Sequence, residues 1–367
     1  MADPPASSET LEHPPVTVLM PAYNQENFIE DAIVSVQRQD YGGPITILIW
    51  NDGSTDRTLE IVNRMMLADP RIQVRSAENQ GRPLARQCLL EAAETELVAW
   101  LDPDDFASPV WLREQVARLQ SDPEIVACGG QAYSMLADRD PVAPIARPLE
   151  HDEIHGIHLE GGVAINQTGV LTRRSSLVTA GGYRERYTVG EDFDLWLRVA
   201  EHGKLANLPT CHTFYRLHEA SANWSAGSDE RGLWYEILNQ ARQRHGLPLR
   251  EVPTPIPPRR DDWNRRVFWI NLAAKRGNAR SCLKLVAAAL RRHPGSLLLW
   301  LFGIVAVFDS IRFLGNCHPR FLPGRDLNAS SIPVFSFYQL ARKINHLRRR
   351  VVKLRGTLGV QDDSQAV

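Results

Sequence analysis

The sequence has few cysteines, and none of them has the spacing of a metal-binding or redox motif. Its 367 residues include five cysteines, an odd number, and none are spaced as C-x-x-C. We therefore expect neither a disulfide framework nor a structural zinc site, and a reducing compartment suits the chain. Other signatures are missing too: G-x-x-x-x-G-K-[ST], G-x-G-x-x-G after a strand, H-E-x-x-H and G-x-S-x-G. These absences argue against P-loop nucleotide hydrolysis, dinucleotide-dependent redox chemistry and the usual hydrolases.

Long apolar runs are also scarce. Residues 297–308 are twelve positions without a charge, and Asp309 and Arg312 interrupt any extension. A membrane-spanning helix needs about 20 apolar residues. Two interpretations stay open for residues 297–314, namely a buried core helix and a helix lying in a membrane interface. The first fifteen residues have no basic segment followed by an apolar core, so we expect no secretory signal and a cytoplasmic protein.

The net charge of −1 conceals a strong asymmetry along the chain. Residues 1–239 hold 19 Lys+Arg against 36 Asp+Glu, whereas residues 240–367 hold 23 against 7. Seven of these basic residues fall within 342–355, and such clusters bind anionic lipid. The sequence thus predicts either a solvated basic tail or a peripheral contact with the inner face of the plasma membrane. Because no recognition motif accompanies the charge, we expect no nucleic-acid partner.

Short apolar runs alternate with amphipathic segments over residues 16–214. The runs are rich in β-branched residues and bounded by turn formers, which is typical of buried strands. They cover residues 16–20, 45–50, 71–74, 97–101 and 124–128. The intervening segments predict helices over 26–37, 57–67, 83–93 and 109–120. This alternation predicts an α/β fold, with a Rossmann-like and mainly parallel sheet flanked by helices.

The later part of the chain predicts a different organisation. Residues 138–148 carry three prolines and predict a loop, and a second group should contain strands over 164–171 and 211–217 around a helix at 192–200. Five prolines in residues 248–258 indicate a stiff linker. We predict these divisions: a disordered tail at 1–14, a catalytic domain at 15–247, a linker at 248–260, a smaller basic helical region at 261–357 and a disordered tail at 358–367. Helices are predicted within that region over 262–275, 279–292, 296–314 and 335–355.

Polar residues follow three of the predicted strands, where ligands of open α/β sheets bind. They are Pro-Ala-Tyr-Asn at 21–24, Asn-Asp-Gly-Ser-Thr-Asp at 51–56 and Asp-Pro-Asp-Asp at 102–105. In extended geometry Asp102 and Asp104 project to the same side, which would create an oxygen-rich site for Mg²⁺ or Mn²⁺ beside a diphosphate. A turn followed by a helix N-cap explains the same motif equally well.

Four further residues belong to this chemistry. Arg82 and Arg86 precede or begin a helix and could pair with phosphate oxygens, although a surface arginine is the default interpretation of either. In the segment Gly190-Glu191-Asp192, a carboxylate beside aromatic residues could act as a general base, although acids at a helix start are most often caps. His218 could be a late metal ligand or an ordinary polar residue at a strand end.

Together, the order and spacing of these motifs closely resemble family 2 glycosyltransferases, which have the GT-A fold. The resemblance covers about residues 16–225. It is carried by the segments VTVLMPAYN (16–24), NDGSTD (51–56), NQG (79–81), AR (85–86), LDPDD (101–105) and GEDFDLWLR (190–198). It implies that a sugar moves, with inversion, from a nucleotide-diphosphate donor to an acceptor hydroxyl.

The resemblance also implies residue roles. Tyr23 and Asp52 would hold the nucleobase, Asp104 would bind Mn²⁺ or Mg²⁺, and Asp192 would be the catalytic base. Asp102 would lie near the ribose and metal, and Arg86 would reach a phosphate. His218, a candidate from the sequence itself, is the further metal ligand that we expect. The donor-binding set comprises Pro21, Tyr23, Asn24, Glu26, Asp52, Gly81, Arg86 and Asp102. The acceptor-side set comprises Glu191 and Trp196.

Two departures from the family pattern refine this interpretation. The usual paired acids before Gly-Ser are Asn51 and Asp52 here, so only one carboxylate is available. The Q-x-x-R-W signature of processive synthases is absent, which favours single additions. The expected partners are a nucleotide sugar, with UDP-sugars favoured, and a glycan or lipid-linked acceptor. The alternatives are a non-catalytic nucleotide-sugar-binding module and a sugar nucleotidyltransferase.

Overall fold

A computed structural model describes residues 13–218, 228–252, 262–276, 278–292 and 294–295. Its strands are β1 (Val16–Ala22), β2 (Ile45–Asp52), β3 (Ile72–Ala77), β4 (Leu97–Trp100), β5 (Phe106–Ala107), β6 (Ile125–Leu136), β7 (Pro141–Ile145), β8 (Val170–Arg173) and β9 (Lys204–Leu217). Its helices are α1 (Ile29–Gln37), α2 (Thr58–Ala68), α3 (Arg82–Ala92), α4 (Trp111–Ser121), α5 (His151–Leu159), α6 (Arg174–Thr179), α7 (Glu191–Val199), α8 (Ser228–Arg244), α9 (Asp262–Lys275) and α10 (Ala279–Arg292). The strands form one sheet, ordered β3-β2-β1-β4-β8-β6-β9-β5, with β7 beside β6.

The first half of the sheet is parallel, as the alternation of strands and helices predicts. Strand β1 pairs in parallel with β2 and β4, and β2 pairs in parallel with β3. Successive residues of β1 serve opposite faces: Val16, Val18 and Met20 pack into one apolar core, whereas Leu19 packs into the other. Both faces of this half are therefore buried under helices, which explains why its strands are almost continuously apolar.

The second half of the sheet is mixed. Strand β8 lies antiparallel between β4 and β6, and in the described part four of the eight strand pairings are antiparallel. The predicted strand at 164–171 is shorter and later, at Val170–Arg173. The predicted loop at 138–148 contains β7, whose two prolines are accommodated because its only strand pairing in the described chain is with β6. The α/β class with flanking helices is confirmed, with a less parallel sheet than predicted.

The helices after the sheet lie close to their predicted positions. Helix α8 packs on α7, and α9 and α10 match the predicted ranges 262–275 and 279–292. Helix α10 meets the β6–β7 hairpin, where Ser281 Oγ donates to the Pro141 carbonyl at 2.6 Å and Lys284 pairs with Asp138. The ranges 1–12, 253–260, 296–314, 335–355 and 358–367 lie outside the described residues, so the predicted tails and domain boundaries remain predictions.

No helix in the part of the chain that the structure describes is both long enough and apolar enough to cross a bilayer.

Candidate active site

The carboxyl ends of β1, β2 and β4 meet at one edge of the sheet. Pro21 is paired with Trp50 and Ala22 with Asn51, while Leu19 of β1 is paired with Trp100 at the end of β4. The three polar segments that follow these strands are thereby brought together, as predicted. The site therefore begins as a consequence of parallel strand register.

The loops after β1 and β2 hold each other in place through reciprocal hydrogen bonds. Asn24 has a positive φ of 52°, and its Oδ1 accepts the Thr55 amide at 2.8 Å. The Glu26 amide donates to Asp56 Oδ2 at 3.0 Å, and the Arg57 amide donates to Glu26 Oε2 at 3.2 Å. Asn24 and Glu26 thus shape the loop. Tyr23, which is 46% exposed, has its ring open to a ligand.

Asp52 fixes the loop that precedes α3. Its two carboxylate oxygens accept the backbone amides of Gln80 at 3.0 Å and Gly81 at 2.9 Å. Gly81 has a φ of 92°, a conformation that favours glycine, and it is the last residue before α3. Each oxygen still has a free lone pair, so a nucleobase N–H could be a further donor to Asp52.

The Asp-Pro-Asp-Asp segment is held by the end of β9. His218 Nε2 lies 2.8 Å from Asp104 Oδ2. The Arg216 amide donates to Asp105 Oδ1 at 2.8 Å, and the Arg216 guanidinium donates to the Asp104 carbonyl at 2.8 Å and to Asp31 at 3.0 Å. Burial, with the charges of Asp104 and Asp102, raises the pKa of Asp105 well above its ordinary value.

A buried ion-pair network connects this segment to the start of α7. Arg86, only 3% exposed, donates to Asp102 at 3.0 Å and to Glu191 at 2.8 Å, and Arg82 Nε lies 2.5 Å from Glu191. Burial opposes the charge of Arg86, but the two carboxylates outweigh it and raise its pKa. Burial raises the pKa of Glu191, and Arg86 and Arg82 oppose that shift. The network spans α3, the loop after β4 and α7.

This network changes how two predicted residues are understood. Glu191 is 1% exposed, and its carboxylate faces two arginines. Trp196 is 2% exposed and packs in the core with Leu195 and Val199. Neither side chain is open to solvent, because α7 is buried on nearly all sides, which its acidic first turn does not indicate. The acceptor-side roles of Glu191 and Trp196 stay predictions.

Asp192 lies at the open end of the same network. It is partly exposed, its Oδ1 accepts the Phe193 amide at 2.8 Å, and its charge acts on Arg86. Asp104 acts electrostatically on Asp102, which is bonded to Arg86. The predicted metal ligand Asp104 and the predicted base Asp192 are thus both connected electrostatically to this network, Asp192 through Arg86 and Asp104 through Asp102.

Two of the three predicted metal ligands, Asp104 and His218, lie within hydrogen-bond distance of each other. Among the described residues, no group of three or more His, Cys, Asp or Glu side chains is arranged to hold a metal ion. Asp104 and His218 face each other, but Asp102 directs Oδ1 at Arg86, so the predicted three-ligand set is not assembled. The Asp104 carboxylate fits Mn²⁺ or Mg²⁺, whose remaining ligands are commonly phosphate oxygens and water, and the His218 imidazole fits Mn²⁺ better than the oxygen-preferring Mg²⁺.

Three residues of this site have contacts that the sequence patterns do not predict. Arg216 and Asp105 hold the acidic segment in place, and Arg82, 33% exposed, is more accessible to a ligand than Arg86. Arg216 lies two residues before His218, and residues i and i+2 of a strand share a face. That spacing was the signal that could have identified it.

Comparisons with known proteins identify the family to which this part of the chain belongs. The sequence model for Glycosyl transferase family 2 matches residues 17–173. The chain carries a family 2 glycosyltransferase domain. The match includes all three strand-end segments, whereas Glu191, Asp192 and His218 lie beyond it.

Relatives of this glycosyltransferase domain include an uncharacterized glycosyltransferase of Haemophilus influenzae, 29% identical over 56% of this chain and 66% of that protein. The hyaluronan synthase of Pasteurella multocida is 26% identical over 64% of this chain and 24% of its own length. An Escherichia coli protein named UDP-Glc:alpha-D-GlcNAc-diphosphoundecaprenol beta-1,3-glucosyltransferase WfaP is 27% identical over 62% of this chain and 84% of that protein. The chain thus spans less than two thirds of the first relative and about a quarter of the synthase.

A solved structure supports the same fold. Residues 1–349 of S. aureus TarS, in complex with UDP-GlcNAc, superpose with a TM-score of 0.51 at 16% identity, covering 84% of this chain and 95% of that one. At this identity, the likeness concerns the GT-A-like fold alone.

Proposed function

We propose that the protein transfers a sugar, with inversion and by single additions, from a nucleotide-diphosphate donor to an acceptor hydroxyl. The reaction would serve the synthesis of a surface glycan, polysaccharide or glycolipid. The observation that carries this proposal is the network Asp102–Arg86–Glu191, which joins the loop after β4 to the first turn of α7. It supports a single site in which Asp104, after β4, would hold the metal ion and Asp192, on α7, would be the base.

The donor would bind at the edge of the sheet where the carboxyl ends of β1, β2 and β4 meet. The exposed Tyr23 ring would stack on the nucleobase, and Asp52 would accept its N–H, while Asn24 and Glu26 hold the loop. Pro21 at the end of β1 and Gly81 before α3 would line the same space. A UDP-sugar is the favoured donor, which is the donor in the name of the E. coli relative.

The diphosphate would lie between Asp104 and α3. Asp104 and His218 would hold Mn²⁺ or Mg²⁺, with Asp102 beside them near the ribose, and a bound divalent ion neutralises the negative charge that develops on the departing diphosphate. Arg82 is better placed than Arg86 to contact a phosphate, because Arg86 is buried between two carboxylates. We therefore assign Arg86 to positioning.

Asp192 would act on the acceptor. Its carboxylate would take the proton of the attacking hydroxyl as the oxygen approaches the anomeric carbon from the face opposite the leaving group, which inverts the configuration. Glu191 would orient this turn through its ion pairs with Arg82 and Arg86.

A peripheral location on the inner face of the plasma membrane is part of the proposal. It is supported by the seven basic residues within 342–355, because each basic residue near an anionic surface contributes roughly 1 kcal/mol of binding. Sedimentation with anionic and with neutral lipid vesicles tests it, and we expect only the anionic vesicles to bind the chain.

The test of the base is Asp192→Asn. Loss of a general base lowers the turnover rate by about 10² to 10⁴-fold. We therefore expect transfer to collapse while donor affinity, measured by calorimetry, stays within about twofold of the parent. The matched control is Glu153→Gln, an exposed position on α5 that should transfer normally. Transfer by Asp192→Asn at the parental rate would show that Asp192 is not the base.

The product distinguishes this function from its alternatives. A glycosyltransferase releases a nucleoside diphosphate and glycosylates the acceptor. A sugar nucleotidyltransferase would release pyrophosphate, and a non-catalytic module would bind the donor without turnover. Chromatography of the nucleotide products separates the three.

A further inference from the structure

A polar and aromatic cavity lies beside α7, on α8. Its volume is about 470 Å³, and we call it the Trp234 cavity; its lining includes Glu160, Gly161, Trp234, Tyr235, Arg250 and Glu251. It shares no residue with the donor-binding set above. The question is which ligand this lining fits.

Trp234, which lines the cavity, packs directly against the first turn of α7, where the candidate base Asp192 lies. The Trp234 ring stacks on Phe193, with centroids 4.1 Å apart and planes 2° apart. Phe193 is the residue after Asp192. On the other side of that turn, a Cβ added to Gly190 would lie 3.1 Å from Trp234 Cε3. Trp234 therefore packs against residues on both sides of Glu191 and Asp192 in the chain.

One edge of the indole is available to a ligand. Trp234 is partly exposed, and its Nε1–H donates no hydrogen bond to another of the described residues. Opposite it lies Gly161, where an added Cβ would be 3.7 Å from Nε1 and 3.1 Å from Leu238. The absence of a side chain at position 161 keeps the space next to the indole open.

The charges around the cavity favour an uncharged ligand. Glu160 is already paired, since Arg250 and Arg242 both bond its carboxylate. Glu251 adds a further carboxylate to the lining. A diphosphate would meet these acids, whereas neutral hydroxyl groups can donate to carboxylates and accept from a guanidinium. An aromatic ring beside such groups presents both the apolar and the polar surface that a pyranose requires.

We propose that the Trp234 cavity binds a neutral sugar residue of the acceptor glycan, next to the residue that receives the new sugar. This inference rests on the proposed function, because it names the substrate class on the acceptor side of Asp192. The cavity would hold the acceptor by its chain and so place the attacking hydroxyl near the carboxylate of Asp192.

The experiment measures oligosaccharide binding and donor binding separately. Probes are neutral tetrasaccharides of β-1,3- and β-1,4-linked glucose and N-acetylglucosamine, with a sialylated tetrasaccharide as the charged comparison. Binding to the full chain is followed by saturation-transfer NMR and titration. We expect at least one neutral probe to bind, and Trp234→Ala to weaken its binding about tenfold or more, which is the size of effect seen when an aromatic anchor residue of a binding surface is truncated.

Two more conservative variants keep the test valid if Trp234→Ala does not fold. Trp234→Phe keeps an aromatic ring against Phe193 but loses the indole N–H, and Glu251→Gln removes a charge at an exposed position. Each should weaken oligosaccharide binding while leaving donor affinity and the thermal unfolding temperature at parental values. The control is Gln243→Ala, exposed on the same helix and outside the cavity lining, which should bind like the parent.

The outcomes are distinct. Parental oligosaccharide binding by Trp234→Phe and Glu251→Gln, no binding of any neutral probe, or a preference for the sialylated probe would each overturn the cavity assignment. Failure of the proposed function would look different, because nucleotide sugars would then not bind or turn over in the parent itself.

Discussion

Arg86 is the residue on which the structure of the site depends most. Its guanidinium is buried between Asp102 and Glu191, so removing it would leave two carboxylates without their main partner. Breaking a buried ion pair from one side costs about 3–5 kcal/mol. We expect Arg86→Met to lower the free energy of unfolding by that order, as measured by urea denaturation.

Arg82→Met is the matched comparison for that measurement. Arg82 pairs with the same Glu191 but is 33% exposed, so we expect a smaller loss of stability and a larger loss of donor affinity. Equal stability losses in the two variants would contradict the view that Arg86 positions the site while Arg82 contacts the ligand.

The sequence allowed the strand-end residues to be located but not their pairing. Asp52 ends the apolar strand β2, Asp102 and Asp104 follow β4, and parallel register places these strand ends at one edge of the sheet. That Arg86 is buried, and that Glu191 faces inward, depends on how α3 and α7 pack, which helical periodicity does not specify. Trp196 shows the limit: an apolar residue in a helix that is buried on most sides has no distinguishable face.

The loop after β2 packs against the loop between β3 and α3, and this contact determines the geometry of the donor side. Gly53, in the loop after β2, has a φ of 70°, and an added Cβ would lie 2.6 Å from the backbone nitrogen of Asn79. Gly53→Ala would therefore strain its own backbone and push away the loop that Asp52 holds. We expect a loss of about 1–3 kcal/mol of stability together with weaker donor binding.

Gly156 is the control for that substitution. It lies inside α5, and an added Cβ would meet nothing within 4 Å. Because alanine restricts the unfolded chain more than glycine does, Gly156→Ala should raise stability by about 0.5–1 kcal/mol. Thermal unfolding of both variants gives the comparison, and a stable Gly53→Ala protein with normal donor binding would contradict it.

Strand β7 shows that prolines do not always indicate a loop. Three prolines in 138–148 predict a loop, yet Pro141 and Pro144 belong to β7. Among the described strands β7 pairs only with β6, so the missing amide donors cost little there. Whether a strand lies at an edge is a property of topology, which local sequence does not contain.

The free energy of unfolding of the protein depends on pH because histidines on α5 are buried or partly buried. His158 is 1% exposed and packs edge-on against Phe193, and burial lowers its pKa to about 3. Burial also lowers the pKa of His155 and His151 on the same helix. These imidazoles are therefore neutral in the folded protein at neutral pH.

The sign of the effect follows from proton linkage. The unfolded chain binds the proton of His158 with an ordinary pKa near 6.5, above the folded value, so stability falls as the pH drops below about 6.5. Between about pH 6.5 and 5, His158 alone should remove roughly 2 kcal/mol. His158→Gln should reduce this slope in urea denaturation, whereas His202→Gln, at an exposed position, should keep it. Identical slopes for all three proteins would contradict the assignment.

The proposed function requires Asp104 to bind a divalent metal ion in the nucleotide-sugar site. Calorimetric titration of UDP-, GDP- and TDP-sugars into the parent and Asp104→Ala, with Mn²⁺ and with EDTA, measures this requirement. The prediction is that one donor binds the parent with Mn²⁺, and that either EDTA or the substitution weakens binding about tenfold or more. Donor binding that is indifferent to both, or the absence of binding by any nucleotide sugar, would contradict it.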